Sequence, residues 1–337
     1  MNTAISLDIA HQYWPISGGF RISRGQKTAA ETIVVTLQSH GHSGRGECVP
    51  YARYGESIDS VCSQIETLRG PLQNGLTREQ LQKILPAGAA RNAIDCAFWD
   101  LEAQILQKPV WELAALEPPI EQVTAFTLSI SNPDQMAMAA QRATDYPVLK
   151  VKLAGDQDDI LRIKAICSAR PNAQLILDGN EGFCAESLQT LCDKIQGLNI
   201  AAIEQPLPAD IDDELSDIDT EFILCADESL HTSDDLAHIA RMYQMINIKL
   251  DKTGGLTEAL RLHQQANKFD LQIMVGCMVS TSLSMLPALL LANSAKLVDL
   301  DGPLLLAKDH DKGLQYRGAI ITAKPSHLWG YPRRRSE

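Results

Sequence analysis

The sequence predicts an α/β protein built mainly as a closed barrel of parallel strands, preceded by a smaller region of strands and one long helix. Three observations predict it. Short apolar runs alternate with amphipathic helical stretches after about residue 120; polar residues close those runs at regular intervals; and before residue 120 the chain has a different character. Strands that alternate with helices pair in parallel, and eight of them favour a closed barrel over an open sheet.

In the first region, Thr32–Gln38 (TIVVTLQ) reads as a strand, flanked by loops containing Gly41, Gly44, Gly46 and Gly55. A helical pattern runs from about Ala89 to Leu106, with Ile94, Ala97, Phe98, Leu101 and Ile105 on one face. Pro118 and Pro119 mark a domain boundary. Beyond it the apolar runs are Val123–Ser129, Val148–Leu153, Leu175–Asp178, Ile200–Glu204, Ile223–Ala226, Met245–Leu250, Gln272–Gly276 and Lys296–Leu300. Helix-like segments begin near Pro133, Asp158, Ala185, Asp210, Ser233, Thr257 and Ser282. Residues after Gly302 are irregular and are expected to pack back on the first domain.

The 337 residues carry 30 basic and 42 acidic side chains, a formal net charge of −12, which argues against a nucleic-acid or anionic-membrane partner. The eight cysteines are scattered without a CxxC pair, so zinc-type spacing is absent and reduced thiols are expected. Met1–His11 lacks the pattern of a signal peptide, and the most apolar segment, Leu283–Leu297, is interrupted by Pro287, Asn293 and Lys296. A reducing cytoplasm fits best. The basic run Arg333–Arg335 reads as a solvated end.

The chemistry is carried by the strand ends. Asp178 closes LILD, Glu204 closes IAAIE, Asp227 follows ILCA, Lys249 follows INI, and Asp299 and Asp301 close LVDLD. The separations are 26, 23, 22 and 50 residues, that is, one barrel unit each and then two. These side chains should meet on the C-terminal rim, where barrel enzymes keep their active sites. A lone aspartate there is ordinarily a helix cap or a rim salt bridge. Three carboxylates in successive units are a hard-oxygen set suited to Mg²⁺.

Lys150 and Lys152 in VLKVKL share one face of a strand, whereas Leu149, Val151 and Leu153 take the other. Both ammonium groups should therefore point into the barrel, where anions must offset them. Lys249 lies four units further round a ring of eight, opposite the Lys-x-Lys pair. A base on each side of a planar intermediate can remove a proton from one face and return one to the other. Lysine bases working beside Mg²⁺ are an established arrangement for forming and stabilising an enediolate next to a carboxylate.

KVKL (150–153), LDGN (177–180), IEQP (203–206), ADES (226–229), NIKLDKTGG (247–255), GCM (276–278) and DLDGP (299–303) occur in an order that resembles the muconate-lactonizing subgroup of the enolase superfamily. The first domain adds ISRG around Arg24, GECVPYARYGES (46–57) and LPAGAARNAIDCAFWD (85–100). Within the subgroup the chain is most similar to dipeptide epimerases of the L-Ala-D/L-Glu kind. The resemblance implies a modified (β/α)₇β TIM-like barrel, residues 121–309, under an α+β N-terminal capping domain, residues 1–120 completed by about 310–337. It implies Mg²⁺ held by Asp178, Glu204 and Asp227, acid/base catalysis by Lys152 and Lys249, and Lys150 near the substrate carboxylate. It further implies that Asp299 and Asp301 receive the dipeptide ammonium group, that Thr127 and Cys277–Val279 touch substrate, and that Arg24, on a capping loop, pairs with a glutamate side chain. The expected partner is a small dipeptide, with Ala-Glu connecting the chain to recycling of cell-wall peptides; a homo-oligomer stays open. Gly179 departs from the family, which more often has Ala there.

Other readings are set aside on specific residues. N-acylamino-acid racemases, o-succinylbenzoate synthases and cycloisomerases handle ligands without a free ammonium, against which the Asp299/Asp301 pair argues. A mandelate-racemase-type site needs a His–Asp dyad in place of Lys249. A Schiff-base aldolase needs no three metal carboxylates, and a non-catalytic metal-binding protein needs no opposed lysines.

Overall fold

The computed structural model describes residues 4–22 and 25–333. The N-terminal part is an antiparallel sheet of β1 (Ser6–Ile22), β2 (Gly25–Ser39) and β3 (His42–Cys48), against which the helix Ala89–Leu106 packs. Alternation along Ile33, Val35 and Leu37 buries one face of β2 under that helix, together with Val61 and Ile65 of the helix Ile58–Glu66. Gly44 and Gly46, expected in a loop, lie in β3. A Cβ there would come within 2.3 Å of Ala97 O and 2.1 Å of Ala93 O, so only glycine allows the strand to approach the helix this closely.

The second part is a ring of eight parallel strands: β5 (Phe126–Leu128), β6 (Val148–Lys152), β7 (Gln174–Asp178), β8 (Ile200–Glu204), β9 (Leu224–Ala226), β10 (Met245–Ile248), β11 (Gln272–Gly276) and β12 (Leu297–Asp299). Ala125 N donates to Val298 O at 2.8 Å, which brings the first strand against the last. A short antiparallel sheet joins β4 (Gln122–Val123) to β13 (Tyr316–Arg317) and β14 (Ile320–Ile321).

Two layers fill the ring. Ala125, Ile176, Ala202, Cys225, Met245, Met274 and Leu297 form an apolar floor. Two positions further along, every one of these strands except that of Met274, which has Gly276 there, carries a polar residue, and this alternation places the charged groups directly above the floor. Leu149, Val151 and Leu153 point outward into the helix shell and are fully buried there, as the alternation predicts.

The structure corrects several expectations. The segments at Asp210 and Ser233 form mainly short 3₁₀ turns, Asp212–Asp217 and Ser233–Asp235, the second followed by one helical turn, Leu236–Ile239. In the first turn only Asp212 and Leu215 are buried, too few to hold an amphipathic helix against the ring. The strand expected to reach Leu250 stops at Ile248, because Leu250 opens the short helix Leu250–Thr253. Ile105, assigned to the apolar face of the long helix, is 40% exposed.

That helix is buried around almost its whole circumference up to Gln104, and its polar side forms the joint between the two parts. Arg91 donates to the Thr253 and Gly254 carbonyls, Asn92 to Asp251, and Asp95 accepts from the Thr257 amide and hydroxyl. Gly254 has φ +72°, and a Cβ there would lie 2.4 Å from the Arg91 guanidinium. The paired glycines of KTGG thus let the barrel loop lie flat under the helix.

The C-terminal segment is not a solvated end. Trp329 is 2% exposed and donates to Cys96 O; Gly330 N donates to Asp100; the Arg333 guanidinium pairs with Asp100 at 2.5 Å. Arg334 and Arg335 lie outside the described residues. Among the described residues no helix is long and apolar enough to cross a membrane, and all eight cysteines are free thiols.

Candidate active site

The register of the ring brings the charged residues together. Lys152 on β6 is level with Asp178 on β7, and Asp178 with Glu204 on β8. Glu204 is level with Cys225, which puts Asp227 two residues further along the next strand. Lys249 follows β10 in extended backbone, φ −121° and ψ 128°, so its side chain continues the inward alternation of Met245 and Asn247. Lys152 and Lys249 thus stand four strands apart in a ring of eight.

All of these groups are buried: Lys150, Lys152 and Lys249 are at most 7% exposed, and Asp178, Glu204 and Asp227 at most 2%. Burial without partners would discharge them, and each has partners. Lys150 Nζ lies 3.1 Å from Asp178, 2.7 Å from Glu204 and 2.8 Å from Asp299. Lys152 Nζ is 2.6 Å from Asp178, and Lys249 Nζ is 2.6 Å from Asp227.

Burial alone would lower the Lys150 and Lys249 ammonium groups. The surrounding carboxylates outweigh it and hold both above the ordinary lysine range. Asp178 shows the same contest with opposite sign. Burial raises it, but Lys152, Lys150 and Lys249 together pull it down to about 2. Glu204 goes the other way, up to about 7, because burial and the nearby Asp178 charge prevail over Lys150.

The carboxylate oxygens themselves bear on metal binding. Glu204 Oε2 and Asp227 Oδ1 accept no directional hydrogen bond and are held only by the ammonium groups of Lys150 and Lys252. Among the described residues no group of three or more Asp, Glu, His or Cys side chains forms a preformed metal cage, since ammonium groups lie between the carboxylates. The donor set itself, three buried carboxylates on adjoining strands with oxygens lacking hydrogen bonds, fits a hard divalent cation.

Above this layer lies a cavity of about 1000 Å³, roofed by the N-terminal part. From the barrel, Lys152, Asp227, Lys249, Cys277 and Val279 of the expected set line it, joined by Asn180, Glu228 and Met278. From the roof come Phe20, Lys27 and the turn Tyr51–Tyr54. Asp178, Glu204 and Lys150 lie beneath its floor. Burial raises the Cys277 thiol well above its usual range, which leaves it an uncharged wall.

The Asp299/Asp301 pair sits to one side and is engaged internally. Asp299 accepts from Lys150, and Asp301 accepts the Thr127 amide at 2.7 Å. Burial and the neighbouring Asp299 raise Asp301 to about 7. Arg24 lies outside the described residues.

Sequence reasoning missed two buried polar residues. Asn247 donates to Glu204 Oε1 at 2.8 Å, and Lys252 reaches Asp227 Oδ1 at 2.6 Å and Asn247 O at 3.1 Å. Asn247 alternates with Lys249 on the same strand face, a signal the sequence does contain. Lys252 enters from the helical turn after β10, and nothing in its spacing reveals it.

Comparison with known proteins gives this geometry its relatives. The mandelate racemase / muconate lactonizing enzyme N-terminal domain matches residues 4–114, and the enolase C-terminal domain-like family matches residues 135–321. The chain is 45% identical to an L-Ala-D/L-Glu epimerase of Escherichia coli K12 over 92% of this chain and 97% of that one. It is also 45% identical to an N-acetyl-D-glutamate racemase of Pseudoalteromonas, over 88% and 95%. Among solved structures, an enolase family member from Agrobacterium tumefaciens, with bound sodium and L-Ala-L-Glu, superposes with a TM-score of 0.94 at 44% identity, covering 97% of this chain and 100% of that one. A dipeptide epimerase from Enterococcus faecalis, complexed with Mg and L-Leu-L-Tyr, gives 0.90 at 26% identity, covering 97% of this chain and 98% of that one. With its strand-end lysines and carboxylates in one buried layer and both halves of the chain matched, the protein belongs to the mandelate racemase / muconate lactonizing branch of the enolase superfamily.

Proposed function

We propose that the protein is a dipeptide epimerase that inverts the α-carbon of the C-terminal residue, with L-Ala-L-Glu and L-Ala-D-Glu as its substrate pair. One observation carries the mechanism: Lys152 and Lys249 line the same cavity from strands four apart in a ring of eight, with buried carboxylates between them. The lysine acting as base is deprotonated and takes the α-proton from one face. The opposing ammonium group returns a proton to the other face, so the centre inverts, and the roles exchange for the reverse reaction. Lys150, pinned among Asp178, Glu204 and Asp299, keeps a positive charge beneath the reacting carboxylate. Asp178, Glu204 and Asp227 are the residues to hold Mg²⁺, which when bound supplies charge stabilisation for the carboxylate as its α-proton leaves.

Substrate identity rests on the relatives and on two sequence features. Asp299 and Asp301 suit a free ammonium group, and Arg24 suits a glutamate side chain. Cell-wall peptide recycling in the cytoplasm is the setting this substrate suggests. A second reading has its own support: the N-acetyl-D-glutamate racemase is as similar as the epimerase, 45% identical. Asp301, raised to about 7 and hydrogen-bonded to Thr127, can also sit uncharged beside a neutral acyl group.

Comparing kcat/KM for L-Ala-L-Glu and N-acetyl-L-glutamate in D₂O, by mass gain at the α-carbon, separates the two. The dipeptide is expected to win by at least tenfold; preference for the acetylated compound assigns the racemase reading instead. Arg24→Met should cost the Glu dipeptide about 1.5–3 kcal/mol, the scale of one charged hydrogen-bonded contact, and spare L-Ala-L-Leu.

A further inference from the structure

We propose that Arg53 and Glu181 form a positioning pair that seats the Tyr51–Tyr54 turn over the cavity and, through the same contact, fixes the barrel loop that follows Asp178. The inference rests on reading this cavity as the reaction site, and it adds a joint that the strand-end chemistry does not contain.

Arg53 lies in the single 3₁₀ turn Ala52–Tyr54, which closes on Gly55 at φ 74°. Its guanidinium makes two parallel bonds to Glu181, Nε to Oε2 at 2.5 Å and Nη2 to Oε1 at 2.6 Å. A fork of this kind fixes orientation as well as distance. The contact spans 128 residues of sequence and crosses from the roof to the barrel.

Glu181 is itself held firmly. Its Oε1 accepts the Ala209 amide at 3.0 Å, its amide donates to Gln205 O at 2.8 Å, and its side chain is only 10% exposed. Both it and Asn180 adopt positive φ, 65° and 44°, a region that non-glycine residues rarely occupy unless their surroundings impose it. That backbone turns Asn180 into the cavity, where its Nδ2 faces Glu228, and lets its amide donate to Asp178 Oδ1 at 3.1 Å. One carboxylate therefore ties together the loops after β7 and β8 and the roof.

The roof turn is fastened on its other sides as well. Glu56 accepts from the Tyr51 amide and from the Ala89 amide, at the start of the long helix. The Tyr54 ring stands edge-on to His231, centroids 4.8 Å apart, on the loop after β9. Of these fastenings, Arg53–Glu181 is the ionic one that joins roof to barrel. Its release removes the fork that fixes the orientation of the turn on the barrel and loosens the turn there, so a seated substrate is held less well.

The test uses the whole 337-residue chain with Arg53→Met, Arg53→Lys, Glu181→Gln and the double variant Arg53→Met/Glu181→Gln. Amide hydrogen exchange over residues 51–56, read by mass spectrometry on the ligand-free protein, should quicken about tenfold in the Met and Gln variants. It should quicken less in Arg53→Lys, which keeps the charge without the fork. KM for L-Ala-L-Glu should rise about tenfold with kcat changed much less, and the double variant should be no worse than the worse single one. Unchanged exchange at 51–56 in both Arg53→Met and Glu181→Gln, or a loss confined to kcat, overturns the proposal. If the wild-type protein turns over no dipeptide, the functional reading fails while hydrogen exchange still decides the pair.

Discussion

Glu47 offers a pH-dependent signature of how the two domains are joined. It leaves β3 fully buried, and its Oε1 accepts the Thr281 amide at 3.0 Å while its Oε2 accepts the Thr281 and Thr32 hydroxyls at 2.8 and 3.3 Å. Each of these donors is neutral. Burial therefore dominates, and despite the Thr281 bonds it raises the Glu47 carboxyl from 4.5 to about 7. Because the folded pKa lies above the unfolded one, the native state holds a proton that the unfolded chain has lost. This stabilisation is complete below about pH 4.5 and is lost as the pH rises to about 7. At about 1.4 kcal/mol per pH unit the loss is about 3 kcal/mol. With an unfolding entropy of about 2.1 cal/mol/K per residue, that is about 4 °C of Tm for a chain of this length. Glu47→Gln mimics the protonated side chain and cannot ionise. Its Tm relative to wild type should therefore climb by about 4 °C between pH 4.5 and pH 7.5. Asp95, raised by burial to about 6, adds a slope of the same sign to both proteins and cancels in the difference. Scanning calorimetry on both proteins across that range measures it. Parallel Tm curves would refute the reasoning and mean that Glu47 folds as a carboxylate.

Lys152→Ala and Lys249→Ala should each abolish epimerisation of both isomers, and α-proton exchange in D₂O should survive for a different single isomer in each; equal exchange of both isomers by both variants counts against face-specific bases. Exhaustive chelation should remove activity and Mg²⁺ should restore it, whereas Glu204→Gln should weaken Mg²⁺ binding in titration calorimetry by at least tenfold, since an amide replaces an anionic ligand. Trp329→Ala, which empties a site 2% exposed and removes the indole bond to the Cys96 carbonyl, should cost about 3–5 kcal/mol in urea unfolding. A cost below about 1 kcal/mol would mean that the C-terminal segment is an ornament of the fold.

Much of this protein is legible in its sequence. The barrel can be read because parallel strands buried on both faces are short apolar runs, and because their inward polar residues recur once per unit. Lys150 and Lys152 can be aimed inward from alternation alone, since Leu149, Val151 and Leu153 have to face the helices. The limits of that reading lie where a residue's partner is remote in sequence. The helix Ala89–Leu106 carries Arg91, Asn92 and Asp95 on what looks like a solvent face, yet these pair with a loop more than 150 residues away. Arg333 looks like a loose end for the same reason, its partner Asp100 being 233 residues distant. Lys252 and Glu181 project from turns, where no periodicity gives a direction. Local sequence sets strand alternation and the residue types available to the site, because these depend on backbone geometry over a few residues. Which buried charges meet, which of them stay ionised, and how the roof is held to the barrel depend on desolvation and on contacts across the chain, and only the tertiary structure decides those.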